Sequence, residues 1–345
     1  MVNFIYSLMT DKRNGAVYAP FKAVLYLASL AYGAAIFIRT VLYKFAIFRT
    51  RHVPMKVISV GNLTLGGTGK TPFVIALAKI LEDEMKRNAC IMIRGYGWDE
   101  QAMLKRNLTD TPILVGEDRV RSAHRAIKLY GSSTAILDDG FQYWELGRDL
   151  NIVLIDSRNP FGNGHLFPRG VLRETKAALK RADIVVFTKT NKSGARLAAL
   201  KDEIRRIKSD IIFLEAIHEP HHLYDVKARK FYDLSYMNGK RVILVSSIGD
   251  PGYFEETVKG LGANVLEHII FPDHHNYRKK DIERIMKRCD ERKFDFVATT
   301  EKDTVKFQRL ALSFAGYPLI VVAVELEIIS GKEGLSARLH SLYTS

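Results

Sequence analysis

The sequence predicts an α/β protein: a mainly parallel sheet, a second and smaller α/β domain, and an N-terminal apolar helix. Three observations lead there. Short apolar runs rich in β-branched residues alternate with amphipathic stretches along most of the chain. A glycine-rich loop closes the first of these runs. The first fifty residues differ from the rest in charge and in apolar length.

The chain has 345 residues, 47% hydrophobic and 26% charged, the make-up of a folded protein with length enough for two domains. Disorder and collagen-like or low-complexity structure are excluded. Cys90 and Cys289 are too few for a disulfide framework and show no metal-binding spacing, so they read as buried thiols in a reducing compartment.

Half of the net charge of +14 lies in residues 1–56, which hold eight basic residues and one acid, Asp11. The same segment holds a 16-residue uncharged run, 23–38. A basic segment around an apolar helix suits an anionic membrane surface better than nucleic acid. The run falls short of the roughly 20 residues needed to span a bilayer. Tyr26, Tyr32, Phe37, Tyr43, Phe45 and Phe48 suit headgroup level. An interfacial anchor is therefore favoured over a buried core helix or a full span. Arg39 and Lys44 stand where a signal peptide would carry small residues.

Residues 57–60 read as a buried strand and 72–87 as a helix, with Val74, Leu77, Ala78, Leu81 and Met85 on one face. Strands are expected at 89–93, 112–115, 135–137, 152–155 and 184–187, and helices near 118–130 and 193–208. This βαβα order with doubly apolar strands implies a parallel sheet covered on both faces. Residues 211–215 and 222–232 suggest a two-stranded connection. A second series follows, with strands at 241–246, 264–271, 294–299 and 319–324 and helices near 252–261 and 279–291. The expected domains are 1–50, the membrane-associated helix; 51–225, the core; and 226–345, the smaller α/β domain.

The run Thr64, Leu65, Gly66, Gly67, Thr68, Gly69, Lys70, Thr71 follows a predicted strand and opens a predicted helix. That is the context of a phosphate-binding loop and of a P-loop NTPase-like sheet. Glycines let backbone N–H groups turn toward phosphate oxygens, Lys70 brings charge to the β/γ-phosphates, and the Thr71 hydroxyl can hold Mg²⁺. Pro72 at the first helical position sacrifices no needed donor. Thr64 replaces the usual first glycine. A metal also wants a carboxylate at the end of a neighbouring strand, and Asp138 and Asp139 supply two, with Asp156 as a competitor. Asp138 could instead cap the next segment.

Polar loops follow successive strands: RGYG (94–97), FGNG (161–164) with PRGVLRE (168–174), FPDHH (271–275) and TEKD (300–303). Loops at the carboxyl ends of strands are placed to form one site between two domains. The His pairs 221/222 and 274/275 are poor metal candidates, because adjacent side chains usually diverge.

The segments VGNLTLGGTGKTP (60–72), RGYG, VGEDRV (115–120), DDGFQ (138–142), FGNGHLFPRGVLRE (161–174), FPDHH and TEKD together resemble the tetraacyldisaccharide 4′-kinases, the lipid A 4′-kinases of Gram-negative bacteria. The basic, apolar N-terminal helix is similar to that family's membrane-docking helix. The resemblance implies ATP-dependent phosphorylation, with Mg²⁺, of the 4′-hydroxyl of an acylated glucosamine disaccharide 1-phosphate. It places the enzyme at the cytoplasmic face of the inner membrane. It also implies an Asp–His pair at the acceptor hydroxyl. The family's GDEP motif falls on Asp99-Glu100, where Trp98 and Gln101 replace the glycine and the proline. The family's His falls on His274. Glu117 or Asp118 is the fallback for the carboxylate. On this reading Asp99 and His274 come from two halves of the chain, and closure over substrate completes the site.

The expected site thus has Asp99, His274 and Lys70 in catalysis. The nucleotide is bound by residues 64–71 with Glu301, Lys302 and Asp303. Thr71, Asp138 and Asp139 hold the metal. Arg94, Arg119, Arg121, Asn163 and Arg173 bind the acceptor, whose anionic phosphate calls for arginines. Arg169 is a further candidate. No nucleic acid and no obligate protein partner is expected. The alternative is a membrane-associated P-loop NTPase switch that recruits a protein, for which Thr188-Lys189-Thr190-Asn191 faintly echoes a guanine-reading motif.

Overall fold

The computed structural model describes residues 2–95, 97–192, 194–291, 293–309 and 317–344. Tyr96 of the RGYG segment and Ser193, at the expected start of a helix, lie outside them.

In chain order the elements are α1 (Val2–Met9), α2 (Ala19–Lys44), β1 (Lys56–Asn62), α3 (Lys70–Lys79), β2 (Ala89–Ile93), α4 (Trp98–Asn107), β3 (Ile113–Val115), α5 (Arg119–Tyr130), β4 (Thr134–Asp138), β5 (Leu150–Asp156), β6 (Ile184–Thr188) and α6 (Gly194–Arg205). Then follow β7 (Ile212–Asp225), β8 (Lys230–Tyr232), β9 (Arg241–Ser246), α7 (Pro251–Gly260), β10 (Asn264–Ile270), α8 (Lys279–Asp290), β11 (Phe296–Thr300), α9 (Glu301–Arg309), β12 (Leu319–Ser330) and α10 (Lys332–Ser341). The helix expected over 72–87 starts earlier, as α3, and continues as a π-helical turn over Ile80–Glu84.

The chain forms two compact units. The first comprises Met1–Arg94, Asp110–Ile217 and Glu327–Ser345. Its strands run in the order β7-β6-β5-β1-β4-β2-β3, each pair parallel. β2, β4 and β6 are buried at every position, as strands covered on both faces must be. Cys90, Met92, Ala135 and Leu137 pack with Ala123 and Ala126 of α5. Val153, Val185 and Phe187 pack with Leu197, Leu200 and Ile204 of α6.

The second unit comprises Gly95–Thr109 and His218–Leu326. Its parallel order is β10-β9-β11-β12. β9 shows the period of two. Ile243 and Val245 join Ile282 and Ile285 of α8, while Val242 and Leu244 join Phe254 and Val258 of α7.

Two expectations about organisation change. The pieces 211–215 and 222–232 are one long strand, β7, plus the short β8. β7 pairs with β6 in parallel at its start and with β8 antiparallel at its end. The domain bounds also shift: residues 95–109, expected in the core domain, belong to the second unit, because α4 leaves β2 and packs against α9, while residues 327–345, expected in the smaller domain, belong to the first unit.

α2 is longer than the apolar run that announced it. By length and composition the stretch Ala16–Lys44 is able to cross a membrane, and only 6% of its most apolar window is buried. Phe21, Val24, Leu27, Leu30, Phe37 and Ile38 are exposed along it, so it is not a core helix.

Candidate active site

In the first unit, β1 delivers the chain to a loop that ends where α3 begins. Gly66 has φ 111° and Gly69 φ 84°, left-handed backbone that a side chain would strain. Asn62 at the end of β1 ties the loop together. Its Nδ2 donates to the Thr64 carbonyl at 2.8 Å and to the Thr68 hydroxyl at 3.1 Å, and its Oδ1 accepts from Lys70 Nζ at 3.3 Å. Thr188 at the end of β6 donates to the Thr68 carbonyl at 3.1 Å. The helix starts at Lys70, so Pro72 is its third residue, still among the first four whose N–H groups lack helical partners.

β4 ends at Asp138, and Asp139 follows in left-handed backbone, φ 55°. Asp139 lies 3.5 Å from Lys70 Nζ and accepts from Arg173 Nη1 at 2.9 and 2.8 Å. Burial alone would raise its pKa, but the charges of Lys70 and Arg173 outweigh burial and hold the carboxyl below its ordinary value. Among the described residues no group of three or more His, Cys, Asp or Glu could hold a metal. The oxygens of Thr71, Asp138 and Asp139 nevertheless fit Mg²⁺, which takes one or two carboxylates and completes its shell with phosphate and water. Asp156, the competing carboxylate, is paired with Lys189.

In the second unit, Gly97 in left-handed backbone caps α4, and Asp99 sits in the first turn. There a carboxylate meets the positive end of the helix dipole. Its Oδ2 lies 3.2 Å from His274 Nδ1, 3.4 Å from Lys306 Nζ and 3.8 Å from Lys302 Nζ. Burial would raise the Asp99 pKa; the bond from His274 and the two lysine charges reverse this and hold it well below the carboxylate range. The bond to Asp99 raises the pKa of His274, against a smaller lowering by burial. His274 has φ 57°, a strained setting for a non-glycine residue. Its side chain is 48% exposed and that of Asp99 only 3%. The carboxylate therefore stands behind the ring, and the imidazole is the face presented.

The sequence matches the family Tetraacyldisaccharide-1-P 4′-kinase (LpxK) over residues 21–344. The chain belongs to the tetraacyldisaccharide 4′-kinase family. It is 37% identical over 344 residues to the tetraacyldisaccharide 4′-kinase of Syntrophus aciditrophicus, covering 90% of each chain. It is 36% identical to that of Elusimicrobium minutum, over 90% of this chain and 88% of the relative. Among solved structures it resembles the LpxK of Aquifex aeolicus crystallised with ATP, with a TM-score of 0.72 and 26% identity over 94% of this chain and 99% of the other. The mainly parallel α/β architecture is thus that of a 4′-kinase.

The expected residues of this 4′-kinase family member fall unevenly. Residues 64–71, Asp138 and Asp139 lie at the phosphate loop and at the end of β4. Asp99 and His274 meet within one unit, although they come from distant segments of sequence. Of the acceptor arginines, Arg94 lies 3.9 Å from Glu117 and Arg121 is exposed on α5. Arg119 is buried over the Tyr143 ring, 5.0 Å from its centroid. Arg173 is held by Asp139. Asn163 donates to the Met9 carbonyl and to Asp11, both at 2.8 Å, and Arg169 pairs with Asp11 at 3.0 Å.

TEKD is not a loop. Thr300 ends β11, and Glu301 to Asp303 open α9. Glu301 is buried. Lys302 faces Asp273 at 3.1 Å and His274 Nε2 at 3.4 Å. Asp303 is fully buried, and its oxygens accept from Ser247 N–H at 3.0 Å, from the Ser247 hydroxyl, from Thr300 Oγ1 at 2.9 Å and from Tyr277 at 3.2 Å. It braces the Asp99 cluster from within. Sequence reading missed Lys306, whose signal was its place four residues after Lys302, on the same helix face. The fallback carboxylates differ too: Asp118 caps α5 by accepting from Arg121 N–H at 2.9 Å, and Glu117 is largely exposed. His221 and His222 do not diverge, since their Nδ1 atoms lie 3.1 Å apart.

Proposed function

We propose that the protein transfers the γ-phosphate of ATP, with Mg²⁺, to the 4′-hydroxyl of a tetraacylated glucosamine disaccharide 1-phosphate, at the cytoplasmic face of the inner membrane. The observation that carries the chemistry is the convergence of Lys70 and Arg173 on Asp139 beside the phosphate loop. Loop N–H groups and Lys70 neutralise charge on the phosphates. Thr71, Asp138 and Asp139 would hold Mg²⁺, which supplies further charge neutralisation on the transferring phosphoryl group. Arg173 keeps Asp139 ionised and in place.

The second unit supplies the proton chemistry. Phosphoryl transfer has a loose transition state, so orienting the acceptor hydroxyl matters more than removing its proton early. An exposed imidazole can orient the hydroxyl and take its proton as the bond to phosphorus forms. Asp99, held ionised by Lys302 and Lys306, fixes the ring and stabilises its positive charge, the role of a carboxylate behind a catalytic imidazole. The sequence-based expectation has the carboxylate take the proton and the imidazole tune it; a carboxylate so acidic and so buried is a poor base, so the roles are exchanged here. Arg94, Arg121 and the exposed side of α2 would meet an anionic, amphiphilic acceptor.

Mass spectrometry of the acylated disaccharide 1-phosphate after incubation with ATP, Mg²⁺ and the protein tests this. The acceptor should gain one phosphate, and Lys70→Ala should abolish most of the gain. ATP hydrolysis with no phosphate on the lipid would exclude a kinase and favour a nucleotide switch.

A further inference from the structure

The phosphate loop rests on a second layer, residues 171–173. Leu65 N–H donates to the Val171 carbonyl at 2.7 Å, and Arg173 N–H donates to the Leu63 carbonyl at 2.7 Å. Thr64 bridges Leu172 in antiparallel fashion between them. This second layer is itself held by α2. The Tyr32 hydroxyl donates to the Arg173 carbonyl at 3.1 Å. Ser29 Oγ accepts from Arg169 N–H at 2.8 Å and lies 2.9 Å from the Leu166 carbonyl. Among the described residues Ser29 is the buried residue of α2. Gly33 permits the approach, since a Cβ there would lie 3.0 Å from Leu166 Cδ1.

Arg173 is consequently fixed at three points. Its carbonyl is held by Tyr32, its N–H by Leu63 and its guanidinium by Asp139. A helix serving only as a tether needs apolar contact with the body of the protein. This one also places two hydroxyls on the backbone that supports the phosphate loop, while Phe21, Val24, Leu27, Leu30, Phe37 and Ile38 stay exposed.

We propose that Ser29 and Tyr32 are positioning residues of the nucleotide site, so that the helix carrying the exposed apolar face also sets the phosphate loop. Donors aimed at phosphate act in proportion to how well they are preorganised. Loss of the α2 bonds loosens residues 166–173, and through them the backbone of Leu63 and Leu65 and the Arg173–Asp139 pair. The proposal rests on reading residues 64–71 as the nucleotide site.

The test uses the full chain with Tyr32→Phe, Ser29→Ala and both together. Binding of MgATP is measured by calorimetry without lipid, and vesicle binding by co-sedimentation with phosphatidylglycerol vesicles. Each lost bond should weaken MgATP binding about five-fold and the pair about ten-fold or more, a net hydrogen bond in each case. The KM for ATP should rise by the same factors, with vesicle binding unchanged and the melting temperature lowered by no more than about a few degrees. Tyr32→Phe removes a single oxygen and reads the proposal alone if Ser29→Ala folds poorly. Wild-type MgATP affinity in the double variant, or nucleotide and vesicle binding lost together, would overturn it. A wild-type protein that binds MgATP yet never phosphorylates the acceptor would sink the kinase reading and leave this one standing.

Discussion

His274 Nδ1 lies 3.2 Å from the Asp99 carboxylate although 175 residues separate them, and both belong to one compact unit. The pair is therefore built into that unit rather than assembled from the two halves of the chain. Asp99→Asn and His274→Ala should each lower kcat by about 10² or more, the range for a lost acid–base group. ATP affinity should change little. The double variant should be scarcely worse than either single one, because residues acting as a unit are not additive. Strictly multiplicative losses in a steady-state cycle would break the pair.

The imidazole of His274 should titrate above its ordinary value, because the bond to Asp99 favours the charged ring. The sign has a consequence for stability. A raised folded pKa contributes stability that is fully present below about 6.5, the unfolded value, and is lost as pH rises through the folded one. Asp99 behaves oppositely: its contribution is present above about 3.9 and is lost only as pH falls through its depressed folded value. NMR titration should show the His274 pKa falling in Asp99→Asn, since burial then acts with less opposition. An unchanged value would remove Asp99 as the cause.

Lys306 is buried 3.4 Å from Asp99 and 3.3 Å from Asp303. Replacing it with methionine keeps the volume and removes the cation. The Asp99 pKa should rise by about one to three units, the effect of an opposite charge at this range. With His274 as the base, the acid limb of the kcat/KM profile reports the imidazole, so the Asp99 shift is read by NMR titration of its carboxyl. An Asp99 pKa that stays in place while activity falls would give Lys306 a packing role only.

The exposed face of α2 should bind membrane without supporting the fold. Leu27 and Phe37 are 64% and 69% exposed. Burial of each in lipid is worth about 1.5–3 kcal/mol, so Leu27→Asp with Phe37→Asp should weaken vesicle binding by at least about a hundred-fold. Thermal unfolding should be unaffected. Equal vesicle binding by the variant would show that this face does not meet lipid.

What the sequence determined by itself was local. The phosphate loop was legible because glycine, lysine and threonine at fixed spacing between a strand and a helix have few other uses. The strands were legible because doubly buried strands must be apolar throughout, and α2 because its apolar run stands among basic residues. The family was legible from the run of motifs, Asp99 and His274 among them. Only the tertiary structure decided which charges face one another. It moved residues 95–109 into the second unit and put Asp303 and Lys306 beneath Asp99. It turned Asn163 and Arg169, expected at the acceptor, toward Asp11, and set Arg173 on Asp139. Local pattern follows from one strand or helix and its neighbours in sequence. The state of a carboxylate depends on which cations the fold brings within about 4 Å, and in unpaired stretches of sequence nothing records that distance.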